Sequence, residues 1–405
     1  MGKTLFAGEY SSRNVGDGII KLAIETLCRD HGVDAEFRDF FGNAVPARPA
    51  RSDASATAAA APGIALHAGS AQRMGPVKRR LLASATVNYA IAILFYLTRY
   101  KRIAARYDTA KYRQVVIGGG NLLMDNFLNF PFLILRVVKE CERNKVPLKL
   151  FSVGAGRKLS LPARKIIGRI VQSDAVVSIM CRDEHSCALV RDAAHPRHSH
   201  KVKSSFDSGL YLQRDDSLTA AGSTIGLGVI APSVLGTLAP DHPMANPDFA
   251  VAWWDGIVGS LHQHMPAQDI ELISNGSTPD NDFAHMLWNA LSPRYPGLSV
   301  CTDIRKPEDL LQRIAGYRAL AAFRMHATVT AMALQVPVMG FEWDPKVLQM
   351  FSYCGKRDAC ISIAEFNQYS ADDITDSLLS QTPASLLDIR SGLRADFRTT
   401  VGADE

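Results

Sequence analysis

The sequence predicts an α/β protein with two doubly wound domains, each built on a parallel sheet with helices on both faces. Short apolar segments alternate with longer helical ones, and this alternation is typical of βαβ units. The alternation begins again after Asp207, and 405 residues are enough for two domains of ordinary size. We therefore predict an N-terminal domain at 1–206, a C-terminal domain at 207–380 and a tail at 381–405.

In the first half, short apolar runs predict the strands, and the periodic segments between them predict the helices. The predicted strands are 3–7, 33–39, 115–117, 148–153 and 175–180, and the predicted helices are 19–31, 132–145 and 162–172. Residues 42–75 are rich in Ala, Pro, Ser and Arg without a hydrophobic period, which predicts a flexible loop.

The second half repeats this pattern. The predicted strands are 224–230, 269–274, 298–301, 319–323 and 336–340, and the predicted helices are 249–264, 282–291, 307–314 and 328–334. Two such domains with a cleft between them form the GT-B architecture. Ligands of doubly wound sheets bind beyond the carboxyl ends of the strands, so we expect the functional residues there.

The charge of the chain is divided unevenly. Residues 1–206 contain 32 Lys and Arg against 16 Asp and Glu, whereas residues 207–405 contain 13 against 24. This division indicates an anionic partner for the first half, either a membrane surface or a phosphorylated ligand, although solvated basic faces are an alternative. No nucleic-acid-binding motif accompanies the basic residues, so we expect no nucleic-acid partner.

The seven cysteines are scattered without a CxxC pair, so we expect neither a disulfide framework nor a metal site. The sequence starts with a strand-like segment and has no apolar signal sequence, which favours the cytoplasm.

Three junctions of the first half carry candidate residues. Asn14-Val15-Gly16-Asp17 precedes a helix, although a simple helix cap would look the same. Gly118-Gly119-Gly120-Asn121 follows a strand and lets the backbone approach a ligand, but it does not match a dinucleotide or P-loop motif. Arg182 follows another strand, where a surface arginine is the simpler interpretation.

The second half contains the most informative segment. Arg324 and His326 lie two residues apart at a predicted strand end, and Lys346 follows the next strand. Together with Arg182, they form a candidate site for a small, strongly anionic ligand, because Arg binds carboxylate or phosphate with two donors and Lys supplies a point charge. Each of them alone is also explained by a surface charge or a salt bridge.

Taken together and in this order, these motifs resemble those of the polysaccharide pyruvyl transferases. The resemblance extends from about residue 5 to about residue 350. The resemblance implies a GT-B-like fold. It also implies transfer of pyruvate from phosphoenolpyruvate to two hydroxyls of a sugar, which gives a cyclic ketal on an exopolysaccharide or cell-surface glycan precursor and releases phosphate.

The resemblance also implies roles for individual residues. The residues matching phosphoenolpyruvate ligands are Arg182, Arg324, His326 and Lys346, and those expected on the acceptor side are Asn14, Asp17, Asn121 and Glu342. His326 titrates in the range useful for acid–base catalysis, and Asp17 is the candidate base. Phosphoenolpyruvate is a substrate, and no cofactor or metal is expected.

Two alternatives from other classes remain. A GT-B glycosyltransferase with a nucleotide-sugar donor would use an acidic residue to bind the ribose, and Glu342 could serve. A non-catalytic scaffold of a polysaccharide-assembly complex would be expected to lose Arg324, His326 or Lys346, which this chain retains.

The apolar run 81–97 lies in a region without acidic residues between Asp53 and Asp108, flanked by basic residues. It is shorter and more polar than a segment of about 20 residues that crosses a bilayer. The sequence leaves two interpretations open: a helix in the core of the first domain, or a helix docked on the anionic inner face of the cytoplasmic membrane.

Overall fold

The computed structural model describes residues 2–10, 15–45, 93–124, 129–215, 218 and 222–402. These residues form two compact units, each with one six-stranded sheet. The first unit contains the described residues of Met1–Ser12, Ala23–Ser208 and Ser391–Glu405, and the second those of Arg13–Leu22 and Gly209–Arg390. Neither unit is one continuous segment of the chain, which differs from the predicted division.

The first unit is a doubly wound sheet in which every neighbouring pair of strands is parallel, with the strand order β2-β1-β3-β4-β5-β6. Because the order reverses between β1 and β3, this position is the switch point of the sheet, where doubly wound folds bind ligands. In this part of the chain the elements are β1 (Thr4–Gly8), α1 (Val15–Asp30), β2 (Ala35–Asp39), α2 (Arg99–Ala105), β3 (Gln114–Gly118), α3 (Asn129–Asn144), β4 (Leu148–Val153), α4 (Leu161–Gln172), β5 (Val176–Cys181), α5 (Glu184–Ala193) and β6 (Val202–Ser204). Residues 15–22 of α1 belong to the second unit.

The second unit repeats this arrangement with the strand order β12-β11-β10-β7-β8-β9, also parallel throughout. Its switch point lies between β7 and β10. In this part of the chain the elements are β7 (Ile225–Gly228), α6 (Pro232–Leu238), α7 (Pro247–His264), β8 (Ile270–Ile273), α8 (Thr278–Leu291), β9 (Leu298–Cys301), α9 (Pro307–Ala315), β10 (Ala319–Ala322), α10 (Met325–Ala333), β11 (Val338–Phe341), α11 (Pro345–Tyr353), β12 (Cys360–Ile361), α12 (Ala371–Leu379) and α13 (Leu387–Val401). Residues 391–401 of α13 belong to the first unit.

The sheets form the centre of both cores. All residues of β1, β3, β7, β8, β10 and β11 are buried. A central parallel strand is covered on both faces, which is why these segments are continuous apolar runs instead of alternating ones. This property made the strands recognisable in the sequence.

Two helices begin earlier than predicted. Helix α1 begins at Val15 instead of residue 19, and α10 begins at Met325 instead of residue 328. Almost every residue of α10 is buried, so it has no polar face whose periodicity would mark its start. As a consequence, Asp17 and His326 lie in the first turns of helices and not in loops.

The predicted C-terminal tail is a helix. In α13, Leu393, Phe397 and Val401 are buried at intervals of four residues. The ring of Phe397 lies 6.1 Å from that of Phe6 and 5.6 Å from that of Phe151, measured between centroids. The prediction of a separate tail was therefore wrong, because residues 391–401 complete the core of the first unit.

Residues 46–92 lie outside the described residues, and so do most of the predicted loop 42–75 and of the apolar run 81–97. At the end of that run, residues 93–97 are helical. Ile93, Phe95 and Tyr96 pack against the core of the first unit, whereas Leu94 and Leu97 are 57% and 59% exposed. In the described part of the chain, no helix has the length and apolar character needed to cross a membrane.

Candidate functional site

Arg324 lies at the switch point of the second sheet, directly before α10. Its Nε and Nη2 atoms donate to Oδ2 of Asp280 at 2.9 and 2.6 Å, and the arginine side chain is 16% exposed. The N–H groups of Nη1 and the second N–H of Nη2 have no partner among the described residues. Arg324 therefore retains donors for a carboxylate or phosphate group.

His326 is the second residue of α10, and it lies against the first turn of α1. A Cβ atom on Gly16 would lie 2.7 Å from both Cβ and Nδ1 of His326. The backbone N–H of Val15 donates to the carbonyl of Asn275, which follows β8, at 3.3 Å. The motif that begins at Asn14 therefore leads into the second unit, although Asn14 itself lies outside the described residues.

Lys346 lies in the first turn of α11, beyond the neighbouring strand β11. Its Nζ atom is 4.9 Å from the ring centroid of Trp343 and 3.6 Å from Oδ2 of Asp344. Nε1 of Trp343 donates to the carbonyl of Phe323 at 2.8 Å, directly before Arg324. The indole thus joins the segment that carries Lys346 to the segment that carries Arg324.

Glu342 follows β11 as well, but its groups have local partners. Its Oε2 accepts the backbone N–H of Ile363 at 3.0 Å, and its carbonyl accepts Nε2 of His242 at 3.1 Å. The backbone N–H of Met244 donates to Nδ1 of His242, so this imidazole is bonded in its neutral form. Burial lowers the pKa of His242, and the bond to Glu342 opposes that shift.

The glycine run of the first unit has the conformation that only glycine adopts readily. Gly119 and Gly120 have φ values of 73° and 78° at the carboxyl end of β3, beside the switch point. The backbone N–H of Gly154 donates to the carbonyl of Gly120 at 2.8 Å. The run therefore forms a close-packed turn at the edge of the first sheet, and the approach of a ligand to its backbone remains a prediction.

Arg182 also lies at the carboxyl edge of the first sheet, directly after β5, and its side chain is buried, with 2% exposure. Its Nη2 donates to Oδ1 of Asn121 at 2.7 Å, and its Nη1 donates to Oδ2 of Asp207 at 3.2 Å. Asp183 adds a carboxylate oxygen 3.8 Å from Nε. The charge of Arg182 is therefore balanced inside the first unit, and its contact with phosphoenolpyruvate remains a prediction.

The structure thus brings Arg324, His326 and the first turn of α1 together, and it links the Lys346 segment to them. Sequence reasoning missed Asp280 and Trp343 in this site. Thr278-Pro279-Asp280 reads as an ordinary helix start, and Trp343 reads as an apolar residue after a strand. Within the described ranges, no group of His, Cys, Asp and Glu side chains is arranged to hold a metal.

Solved structures similar to this chain confirm the fold class. The UDP-GlcNAc 2-epimerase of Methanocaldococcus jannaschii has a TM-score of 0.52 and 10% identity, over 99% of this chain and all of that one. A UDP-forming alpha,alpha-trehalose-phosphate synthase of Burkholderia vietnamiensis has a TM-score of 0.51 and 9% identity, over 100% and 97% of the two chains. At these identities the likeness shows the fold, which is GT-B-like with two Rossmann-like units.

The family of the chain follows from its sequence motifs as a whole. A search of curated proteins finds no match. A family model described as polysaccharide pyruvyl transferase matches residues 14–345, which include Asp17, Arg324 and His326. The chain therefore belongs to the polysaccharide pyruvyl transferase family and is a transferase.

Proposed function

We propose that the protein transfers the pyruvyl group of phosphoenolpyruvate to two hydroxyls of one sugar in a glycan precursor. The observation that carries this proposal is the edge of the second sheet. There Arg324 keeps free donors, His326 lies beside it in the first turn of α10, and Lys346 follows the neighbouring strand. Family membership supports the transfer, and this edge supports the donor.

Phosphoenolpyruvate carries a carboxylate and a phosphate, so its binding requires several cations in one place. Arg324 supplies a planar group that can bind either anion with two N–H donors. Lys346 supplies a compact charge, and its position over the Trp343 ring limits the volume in which that charge moves.

The reaction needs one acid and one base. A proton is added to the methylene carbon of the donor, and a sugar hydroxyl attacks the adjacent carbon as it loses its own proton. Phosphate then leaves, and the second hydroxyl attacks the same carbon and gives up its proton to the departing phosphate, which closes the ketal ring. We assign the acid to His326 and the base to Asp17, which follows Gly16 in the first turn of α1.

We propose that Asp17 and polar residues at other strand ends bind the acceptor sugar. Asn121 is half-buried after the glycine run, and the bond from Arg182 occupies its carbonyl oxygen, which leaves its amide N–H groups for a hydroxyl. Asn14 and Glu342 complete the proposed acceptor set, although Oε2 of Glu342 already accepts a backbone N–H.

The direct test is turnover with a panel of aryl or lipid-linked glycosides that carry a sugar diol. We expect phosphate release that requires both phosphoenolpyruvate and the glycoside, with one ketal formed for each phosphate. Turnover with nucleotide-sugars and none with phosphoenolpyruvate would replace the proposal by a glycosyltransferase activity. The absence of any turnover with either donor would favour the scaffold alternative.

We also propose that the first unit contacts the inner face of the cytoplasmic membrane. Leu94 and Leu97 expose apolar surface, and Lys101 and Arg102 of α2 are exposed beside them in the chain. Each basic residue at an anionic surface contributes about 1 kcal/mol, so a few of them give salt-sensitive binding. Such contact fits an acceptor that is carried on a lipid.

Co-sedimentation with liposomes tests this contact. Binding should require anionic lipid, weaken with salt and decrease when Lys101 and Arg102 are changed to Gln. The matched control changes Arg305 and Lys306, two exposed cations of the second unit, and should bind like the wild type. Equal binding to neutral and anionic vesicles, or no binding to either, contradicts the proposal.

A further inference from the structure

Asp280 is a buried carboxylate that joins three strand ends of the second sheet. It lies in the first turn of α8, after β8, and its exposure is 0%. Its Oδ1 accepts the backbone N–H of Ala231, beyond β7, at 2.9 Å. Its Oδ2 accepts both N–H groups from Arg324, beyond β10, at 2.9 and 2.6 Å.

These strands are neighbours in the order β10-β7-β8, so Asp280 reaches across the end of β7 to Arg324. The bond to Ala231 fixes the carboxylate from the side of β7. Both oxygens of Asp280 are therefore held, and the arginine is bonded to a fixed acceptor rather than to a mobile surface group.

The energetics of this pair favour a role in orientation. A buried ion pair contributes little net stability, because removing two charges from water costs about as much as their attraction returns. Asp280 accepts from Nε and Nη2, which lie along one edge of the guanidinium of Arg324, and the remaining N–H groups point away from that edge. A charge held this way is already oriented before a ligand binds.

We propose that Asp280 is a positioning residue, which holds Arg324 in the orientation that binds the anionic group of the donor. This inference rests on the proposed function, since the donor is the ligand of Arg324. Asp280 itself touches no substrate in this scheme. Its effect on the reaction passes through the guanidinium that it holds.

Steady-state kinetics of Asp280→Asn, Arg324→Lys and the double variant test the proposal. Asparagine keeps the shape and removes the charge, whereas lysine keeps the charge and cannot make both bonds. We expect each single variant to raise KM for phosphoenolpyruvate about tenfold or more, since small displacements of a binding group have effects of this order. In the double variant the two effects should not multiply, because both remove the same interaction.

The matched control is Glu271→Gln. Glu271 is another buried carboxylate of this unit, with 1% exposure, and it is bonded by Arg313 and Tyr317 away from the proposed site. We expect this variant to lower the melting temperature and to leave KM unchanged. A KM for Asp280→Asn within twofold of the wild type, or effects that multiply in the double variant, would overturn the proposal.

A second readout needs no substrate. Phenylglyoxal modifies accessible arginines, and mass spectrometry reports the rate at Arg324 alone. Loss of the carboxylate partner should speed this modification several-fold in Asp280→Asn, and Glu271→Gln should leave the rate at Arg324 unchanged. An unchanged rate in Asp280→Asn contradicts the positioning role, even if wild-type protein shows no turnover with phosphoenolpyruvate and the proposed function fails.

If Asp280→Asn does not fold, Ala231→Pro replaces it in both measurements. Residue 231 has a φ of −68°, which proline adopts, and the change replaces the N–H that fixes Oδ1 of Asp280 by a ring carbon. We expect a several-fold rise in KM and in the modification rate. Wild-type values for both would overturn the proposal.

Discussion

The imidazole of His326 occupies the space in which residue 16 would carry a Cβ atom. That atom would lie 2.7 Å from Nδ1 and 2.9 Å from Cγ of the ring, closer than side chains approach one another. Gly16 is therefore the residue that allows the first turn of α1 to lie against α10. The family model matches residues 14–345, and this contact joins a motif near the start of that range to a motif near its end.

A Gly16→Ala variant should lose activity while it remains folded. The added methyl group displaces the ring of His326, the proposed acid, and we expect this displacement to lower kcat by about tenfold or more. The control is Gly236→Ala in α6, where a Cβ atom meets nothing within 4 Å. Equal kcat values for both variants and the wild type would show that the contact has no catalytic importance.

A His326→Gln variant should keep most of its affinity for phosphoenolpyruvate and lose most of its turnover. Glutamine retains polar atoms for binding but cannot deliver a proton near neutral pH. Activity of the wild type should depend on pH near neutrality, and the residual activity of the variant should lose this dependence. A variant that binds poorly but turns over normally when saturated would make His326 a binding residue only.

A Phe397→Ala variant should destabilise the first unit by about 3–5 kcal/mol, the usual effect of removing a buried aromatic ring. Phe397 is fully buried and contacts Phe6 and Phe151. Urea unfolding measures the change. Thr399→Ala, an exposed position of the same helix, should remain within about 0.5 kcal/mol of the wild type. A small effect at Phe397 would mean that α13 contributes little to the core.

The second unit should lose stability as the pH falls below about 6.5, the ordinary pKa of histidine. Burial lowers the pKa of folded His242, so the unfolded chain takes up a proton that the folded chain resists. The contribution is complete above the ordinary value and is lost as the pH falls toward the lowered one. His242→Gln should reduce this dependence in urea titrations between pH 7 and 5, whereas His264→Gln at an exposed position should retain it.

The sheets were predictable from the sequence because their central strands are buried on both faces. Val115, Val116 and Ile117 form an apolar run that ends in glycine, and the structure places them in β3. The position of the candidate residues at the carboxyl edges of the sheets was predictable as well. Once the strands are recognised, the residue that follows each parallel strand must lie at that edge.

The pairing of distant segments was not predictable. Asp280 lies 44 residues from Arg324, and an Asp in a first helical turn is common without any partner. The contact of Gly16 with His326 depends on how the start of α1 packs against α10 within the second unit, and no local sequence pattern predicts that packing. Leu393, Phe397 and Val401, which are buried in α13, recur at every fourth position of the sequence. This spacing is typical of a helix with one apolar face and could have predicted α13.

Calorimetric titration of phosphoenolpyruvate into wild-type and Arg324→Ala protein is the most direct test of the proposed binding of this donor at Arg324. Arg294→Ala serves as the control. Nη1 of Arg294 forms an ion pair with Oδ2 of Asp255 at a distance of 3.0 Å, and this pair does not belong to the proposed site. The wild type and the control should bind alike, and Arg324→Ala should lose about 2–5 kcal/mol of binding free energy, the usual effect of removing a buried charged contact. Binding of equal affinity to all three proteins would contradict the account.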